Sequence, residues 1–445
     1  MSEMRDVAII GGGPGGSTTA NLLAQAGRRV VLFERERFPR FHIGESLLPH
    51  NVRIFDRLGI ASRLQRSFME KWGVEFISSD GALRRLFHFD EAVDPRYPMC
   101  FQVPRSEFDL LLLEEASRRG CEVHQEAEVR AVEQAPDGSW LLRVAEGGAT
   151  RDCTARFLVD ASGRDGVLAR ARGLRDMDPG QRRAAIFAHF RGVPRRPGRD
   201  AGNIVIVLMR DGWFWVIPFS DGRTSVGVVA DGRRIGEQGV PPEAALDRAI
   251  ARCPAAFQLM QHAERVSPVY ATSDWTYNSR GIAGRGYLLV GDAAAFIDPV
   301  FSTGVLLAMS SGEMAASILD ASLRNGEIPA SIQADYERRV TRHVRGYRRM
   351  VDTFYSRAFA QLCFFPARRL RLPGGVLNLL AGDMDPSWRV RWRLEVFYRI
   401  AALYQRFDVG PRVELSGVFD GSELPDSSRR APPSAIGREQ DETRV

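Results

Sequence analysis

One residue of this chain stands apart by its chemistry. Lys and Arg together number 61, and Lys71 is the only lysine among them. A guanidinium stays charged and planar, whereas an ammonium can lose its proton and become a nucleophile. A chain that meets its need for positive charge with Arg keeps Lys71 as a candidate for chemistry that requires an amine. A second signal lies near the N-terminus. Gly11, Gly13 and Gly16 form GxGxxG, and Glu34 follows about twenty residues later. In that pattern the first glycine permits a tight turn, the second lets a pyrophosphate approach the backbone, and the third allows close helix–strand packing. The phosphates then lie at a positive helix end, and a carboxylate at Glu34 can accept from a ribose hydroxyl. The five cysteines are scattered, with no CxxC pair. They fit reduced thiols of a cytoplasmic protein, and no metal site is expected.

The elements that must position these residues follow from periodicity. Asp6–Ile10 reads as a buried strand, Ser17–Ala26 as a helix and Arg29–Glu34 as a second strand, so GxGxxG sits inside a complete βαβ unit. Residues 51–64 and 108–119 read as helices. Residues 182–229 alternate apolar and polar between turns and read as antiparallel sheet. Tyr287–Asp292 is a further buried strand, and a helix is expected over 310–323. The pattern from 330 to 403 is helical, with breaks expected at Pro366, at Pro373–Gly374–Gly375 and at Pro386. The last residues are polar and Pro-rich, which predicts a disordered tail.

Length and charge narrow the class. A chain of 445 residues holds two or three domains, and 44% hydrophobic with 26% charged residues is ordinary for a globular protein. No apolar run approaches the roughly eighteen residues of a membrane span, and the N-terminus lacks the pattern of a secretory signal. The net charge of +6 is concentrated late, in ERRVTRHVRGYRR over 337–349. Such a stretch suits an acidic partner or a solvated helix face. No nucleic-acid motif accompanies it, so no nucleic-acid partner is expected.

Three motifs in order carry a family resemblance. They are GxGxxG, LVDASG over 158–163, and GYLLVGDAAAFIDP over 286–299. Together they resemble the FAD-binding set of the para-hydroxybenzoate hydroxylase superfamily. The resemblance implies FAD contacts from Gly11, Gly13, Gly16, Glu34, Asp292 and Pro299, and identifies Arg105 with the family arginine near the cofactor. Four more segments resemble flavin-dependent halogenases of the phenolic and pyrrolic type. These are FHIGESLLP (41–49), FxxKxGxxF around Lys71, WFWVIP (213–218) as WxWxIP, and DPVFSTG (298–304).

That resemblance implies an enzyme that uses FAD, supplied as FADH2 by a separate flavin reductase, with oxygen and chloride or bromide. Hypohalous acid would form at the flavin and travel to a substrate held apart. Trp213 and Trp215 would shield the flavin from that substrate. Ser302, Thr303 and Gly304 would bind the halide, the backbone N–H groups at Thr303–Gly304 holding it by the helix-end logic that binds phosphates. Lys71, in a partly desolvated pocket, would receive the hypohalous acid by hydrogen bonding or as a haloamine. The substrate would be an electron-rich phenol or pyrrole, free or tethered to an acyl or peptidyl carrier protein. An aromatic hydroxylase and a non-catalytic flavoprotein of the same fold are the alternatives. The implied fold is α/β: a Rossmann-like FAD-binding domain over 1–180, with 65–105 contributing to the active site; an antiparallel substrate sheet over 181–270; a return to the FAD-binding domain over 271–329; a helical region over 330–421; and the tail over 422–445.

Overall fold

The computed structural model describes residues 3–177, 183–236, 240–273, 276–366, 371–407, 410–411 and 413–419; the expected tail lies outside them. β1 (Arg5–Ile10) runs parallel to β2 (Val30–Phe33) on one side and to Ala149–Asp160 on the other. All four residues of β2 are buried, as a strand covered on both faces requires. α1 (Pro14–Gln25) crosses from β1 to β2, with proline in its first turn, where its missing N–H costs nothing. The parallel core runs from Tyr287–Leu289 through Ala149–Asp160, β1 and β2 to Glu122–His124. The antiparallel strands Ala127–Gln134 and Trp140–Glu146 join its side.

α1 packs against the long helix Thr303–Asn325 and against Arg105–Arg118. The first contact is close because it is made of glycine: a Cβ on Gly312 would lie 2.6 Å from the Gly15 carbonyl oxygen. The long helix begins at Thr303, seven residues before the expected start. Val305, Leu306 and Met309 are buried in its first two turns, and the glycine-bearing entry hid that apolar stripe. The expected helix over 51–64 is instead two, Val52–Leu58 and Ala61–Ser67. Gly59 takes a left-handed conformation (φ 68°) between them, the usual helix stop.

The second sheet has eight strands, in the order Glu264–Arg265, Arg183–Arg191, Thr224–Asp231, Gly212–Pro218, Ile204–Leu208, Gly73–Ser78 and Arg84–His88, with Tyr270–Ser273 also on Arg183–Arg191. It is not wholly antiparallel: Ile204–Leu208 pairs parallel with Gly73–Ser78. The segment after Lys71 therefore extends this sheet. Such a parallel neighbour needs a long crossover, and here the crossover includes most of the first domain.

Four helices close the far end: Ala330–Phe354, Arg357–Phe364, Leu372–Leu380 and Trp388–Phe407. Pro373, Gly374 and Gly375 do not break the pattern but lie in the first turn of the third helix. Proline is tolerated there. No helix of the described residues is long and apolar enough to cross a membrane.

Candidate active site

A cavity of about 1590 Å³ opens between the two sheets, larger than the roughly 300–1,000 Å³ typical of small-molecule sites. The glycine turn forms one end. Gly11 has φ 99°, and a Cβ there would meet the Ala161 carbonyl oxygen at 2.4 Å; a Cβ on Gly16 would meet the Gly11 carbonyl oxygen at 2.0 Å. Both are glycines of necessity. Gly13 differs: its nearest neighbour would be Arg40 Nη2 at 3.7 Å. The room beside it opens on the cavity at the start of α1, as a pyrophosphate requires. Glu34 lines the same end and accepts from the Gly12 N–H at 2.7 Å and the Glu36 N–H at 2.9 Å. These bonds fix the carboxylate and leave lone pairs for a ribose hydroxyl.

Arg105 lines the cavity but is largely spent on the protein. Its Nε and Nη2 donate to Asp109 at 2.8 and 2.9 Å, and Nη1 donates to the Ile43 carbonyl at 2.7 Å. It pins the segment 41–49 to the helix Arg105–Arg118. Arg40, not singled out in the sequence, faces the pyrophosphate end and pairs with Asp109 at 3.2 Å. Asp292 lines the opposite stretch, where burial pushes its carboxyl up to about 6. Asp160 of LVDASG turns inward, accepting from the Leu168 N–H at 2.8 Å; it holds its own turn, and the neighbouring Ala161 and Ser162 reach the cavity.

The next wall is Pro299, Ser302 and Gly304. Ser302 adopts a left-handed conformation (φ 57°) immediately before the helix Thr303–Asn325. The first N–H groups of a helix have no partner within it, and Thr303 Oγ1 is buried without a hydrogen-bond partner. A Cβ on Gly304 would meet nothing within 4 Å. The unspent donors at the helix start and the open space at Gly304, which lines the cavity as Thr303 does not, fit an anion the size of a halide.

Opposite stand Trp213 and Trp215, both buried and both lining the cavity. Alternation along a strand puts residues two apart on one face, and the ring centroids lie 5.8 Å apart. Trp215 Nε1 donates to Ser225 Oγ at 3.0 Å. Its ring fits only because residue 227 is glycine: a Cβ there would lie 2.3 Å from the indole. Trp213 Nε1 donates to the Tyr355 hydroxyl at 2.9 Å, and that hydroxyl donates to Asp298 Oδ2 at 2.9 Å. Tyr355, at the end of the helix Ala330–Phe354, thus ties the tryptophan wall to the turn at Pro299. It belongs to no motif, so the sequence offered no signal for it.

Lys71 is not in a partly desolvated pocket, as expected, but wholly buried, at 1% exposure. It ends the short strand Met69–Lys71, opposite Cys100, and stands behind the cavity wall. Nζ donates to Ser46 Oγ at 2.9 Å and lies 5.4 Å from the Phe89 ring centre. Burial pulls the amine down from its ordinary 10.5 to about 8. Burial also pushes the nearby Cys100 thiol up to about 12, so no thiolate neutralises the amine. Ser46 lines the cavity, and its hydroxyl stands between the cavity and the buried amine.

Residues 4–350 match the FAD binding domain family. The chain is 30% identical over 410 residues to the 1H-pyrrole-2-carbonyl peptidyl-carrier-protein chlorinase of Pseudomonas fluorescens, covering 86% of this chain and 90% of that protein. It is 32% identical to a tryptophan 2-halogenase of Chondromyces crocatus, over 85% of this chain and 73% of that protein. Among solved structures, the flavin-dependent brominase Bmp2 superposes with a TM-score of 0.80 at 26% identity, covering 91% of this chain and all of the other. With the glycine turn, the tryptophan wall and the buried amine in one arrangement, these matches place the chain among the flavin-dependent halogenases of the FAD-binding family.

Proposed function

We propose that this halogenase chlorinates or brominates an electron-rich ring, pyrrolic or phenolic, delivered on an acyl or peptidyl carrier protein in the cytoplasm. The observation that carries the reading is the separation of the buried amine from the cavity. Trp213 and Trp215 wall the flavin cavity, while the one lysine lies outside it, joined through Ser46. A hydroxylase needs its substrate against the flavin; here two indoles form one wall of the cavity that would receive the flavin.

The residues divide the work. The open backbone at Gly13, the start of α1 and Arg40 hold the pyrophosphate; Glu34 holds the ribose and Asp292 the ribityl chain. Reduced FAD, when bound, supplies with oxygen the oxidising equivalent that converts halide to hypohalous acid. The free N–H groups at Thr303 and Gly304 hold the halide beside Pro299, the Ser302 N–H being spent on the Pro299 carbonyl at 2.9 Å. The tryptophans exclude the organic substrate and bulk water, and Lys71 receives the halogen. A separate flavin reductase is the proposed source of FADH2.

The relatives include a chlorinase named for a carrier-bound pyrrole, and the surface supports a like partner. On the helix Ala330–Phe354, Arg338 and Arg339 pair with Asp335, Arg342 with Asp385 and Arg349 with Glu395, so that run is largely compensated. On Trp388–Phe407, Arg389, Arg391 and Arg406 have no carboxylate partner among the described residues. Arg389 lies over the exposed Trp388 at one end of that helix and Arg406 over the exposed Phe407 at the other. A mixed basic and apolar face suits an acidic protein.

The test combines the protein, FAD, a flavin reductase, NADH, oxygen and bromide or chloride with pyrrolyl or phenolic carrier protein and with the free acids. Mass spectrometry of the carrier should show halogenation that depends on both reductase and halide. A hydroxylated product would overturn the halogenase assignment for this site. Preferred turnover of the free acids would overturn the tethered substrate.

A further inference from the structure

Lys71 is not part of the flavin-cavity wall, so its amine can meet hypohalous acid only at the point where Ser46 stands between them. Its Nζ has one oxygen within hydrogen-bond distance among the described residues, Ser46 Oγ at 2.9 Å. Ser46 is itself 3% exposed and forms part of the cavity wall. A serine hydroxyl accepts and donates at once. Here it accepts from Lys71, and among the described residues its own O–H has no acceptor, so that proton is available to the cavity.

The backbone fixes this placement. Ser46 bridges antiparallel to Gln102, Leu47 N–H donates to the Phe101 carbonyl at 3.0 Å, and Val103 N–H donates to the Glu45 carbonyl at 2.8 Å. Residues 45–47 therefore lie as a third strand beside Cys100–Gln102, which pairs with Met69–Lys71 on its other edge. The Glu45 side chain adds an anchor to the second sheet, 2.9 Å from His189 Nε2. Serine and lysine thus stand on the two outer strands of one small ladder, each held by main-chain bonds.

We propose that Ser46 is a catalytic residue of this enzyme, which takes hypohalous acid at the cavity wall and hands its halogen to Lys71. The inference rests on the halogenase reading and adds a residue and a step to it. The Ser46 O–H donates to the oxygen of the acid, which turns the halogen toward Nζ. The neutral amine attacks the halogen and the O–halogen bond breaks. The departing hydroxide takes the Ser46 proton while Ser46 takes one from the amine nitrogen. The products are the haloamine and water; halogen passes from oxygen to nitrogen with no other oxidant or reductant. A depressed amine pKa keeps a useful neutral fraction near neutral pH.

The experiment compares wild type, Ser46→Ala and Ser46→Thr in the reductase-coupled assay. It measures flavin content, oxygen uptake, halogenated carrier, and hypohalous acid caught by a soluble dione trap. Ser46→Ala is expected to bind FAD and consume oxygen normally. Its halogenated product should fall about a hundredfold, the scale for one proton-transfer or hydrogen-bonding group, with a matching rise in trapped acid. Ser46→Thr, which keeps the hydroxyl, should restore product. The acid limb of product formation should also move to lower pH in Ser46→Ala, because the ammonium form loses its acceptor. Product within twofold of wild type in Ser46→Ala would overturn the proposal. So would loss of product in both variants, and so would an unmoved pH limb. If Ser46→Ala does not fold, Ser46→Thr decides alone, with loss of coupling counting against the proposal. Absence of halogenation by wild type would instead refute the underlying assignment of function.

Discussion

The burial of Lys71 makes a quantitative prediction about stability. At neutral pH the folded protein holds an amine whose charged form is penalised by burial, with Ser46 Oγ as its hydrogen-bond acceptor. The span from 10.5 to about 8 corresponds to about 3 kcal/mol at about 1.36 kcal/mol per pH unit. Lys71→Met keeps the length and removes the charge. It also strips Ser46 of its donor, which costs about 1 kcal/mol, so the net gain at pH 7 is about 2 kcal/mol. The sign follows from proton counts. Between pH 8 and 10.5 the unfolded lysine holds more protons than the folded one, so wild-type stability rises with pH across that window. Below it the penalty is fully present, and above 10.5 it is gone. The apoproteins should therefore melt apart at pH 7, the methionine variant higher by a few degrees, and converge toward pH 10.5. Halogenation by the variant should be absent. A methionine variant less stable than wild type at pH 7, or a difference that does not change with pH, would refute the account of a penalised amine.

Four further outcomes are expected. Lys71→Arg should bind FAD and consume reduced flavin and oxygen yet yield no halogenated substrate, and it should melt below Lys71→Met because a guanidinium cannot shed its charge in that site; product near the wild-type level would remove Lys71 from the chemistry. Gly13→Val should fold, since its Cβ finds open space, but purify colourless after reconstitution with FAD, whereas Gly16→Val should fail to fold. Tyr355→Phe removes the acceptor of Trp213 Nε1 and a donor to Asp298; it should cost about 1–3 kcal/mol by thermal melting and raise the peroxide released per halogenated product. Changing Arg389, Arg391 and Arg406 to Glu should raise KM for carrier-bound substrate and reduce its salt dependence with kcat unchanged, and an unaltered KM would leave that face a solvated one.

What the sequence revealed was local. The turn at Gly11, Gly13 and Gly16 is legible because strand, turn and helix follow one another, and Gly16 answers to Gly11 five residues before it, although Gly11 itself answers to the distant Ala161. WFWVIP was legible because its period of two puts both indoles on one face. What stayed hidden depends on contacts distant in the chain. The parallel pairing of Gly73–Ser78 with Ile204–Leu208 leaves no mark on either segment. Lys71 stood out as the one lysine, yet its depth is decided by Ser46 and by the strand at Cys100. Tyr355 reaches Trp213 across 142 residues and Asp298 across 57, and nothing near it in the sequence announces either bond.

The tyrosine also explains why the two halves of the site are aligned. The strand Gly212–Pro218 has two faces. Trp213, Trp215 and Ile217 line the flavin cavity, while Phe214 and Val216 are packed into a separate core on the other side of the sheet. A strand buried on both faces does not slide, since a one-residue slip would exchange every side chain. The turn at Pro299 is held by Asp298, which accepts from the Val300 N–H at 3.0 Å and from Tyr355. One hydroxyl thus joins a strand that cannot slip to the turn that precedes the helix Thr303–Asn325, the end proposed to hold the halide. The arrangement carries no reorganisation cost at the moment hypohalous acid forms, which is the condition under which fixed dipoles act most strongly. On the proposed function the halide would thereby be held opposite the tryptophan wall, and the reactive oxygen–halogen species would leave past Ser46.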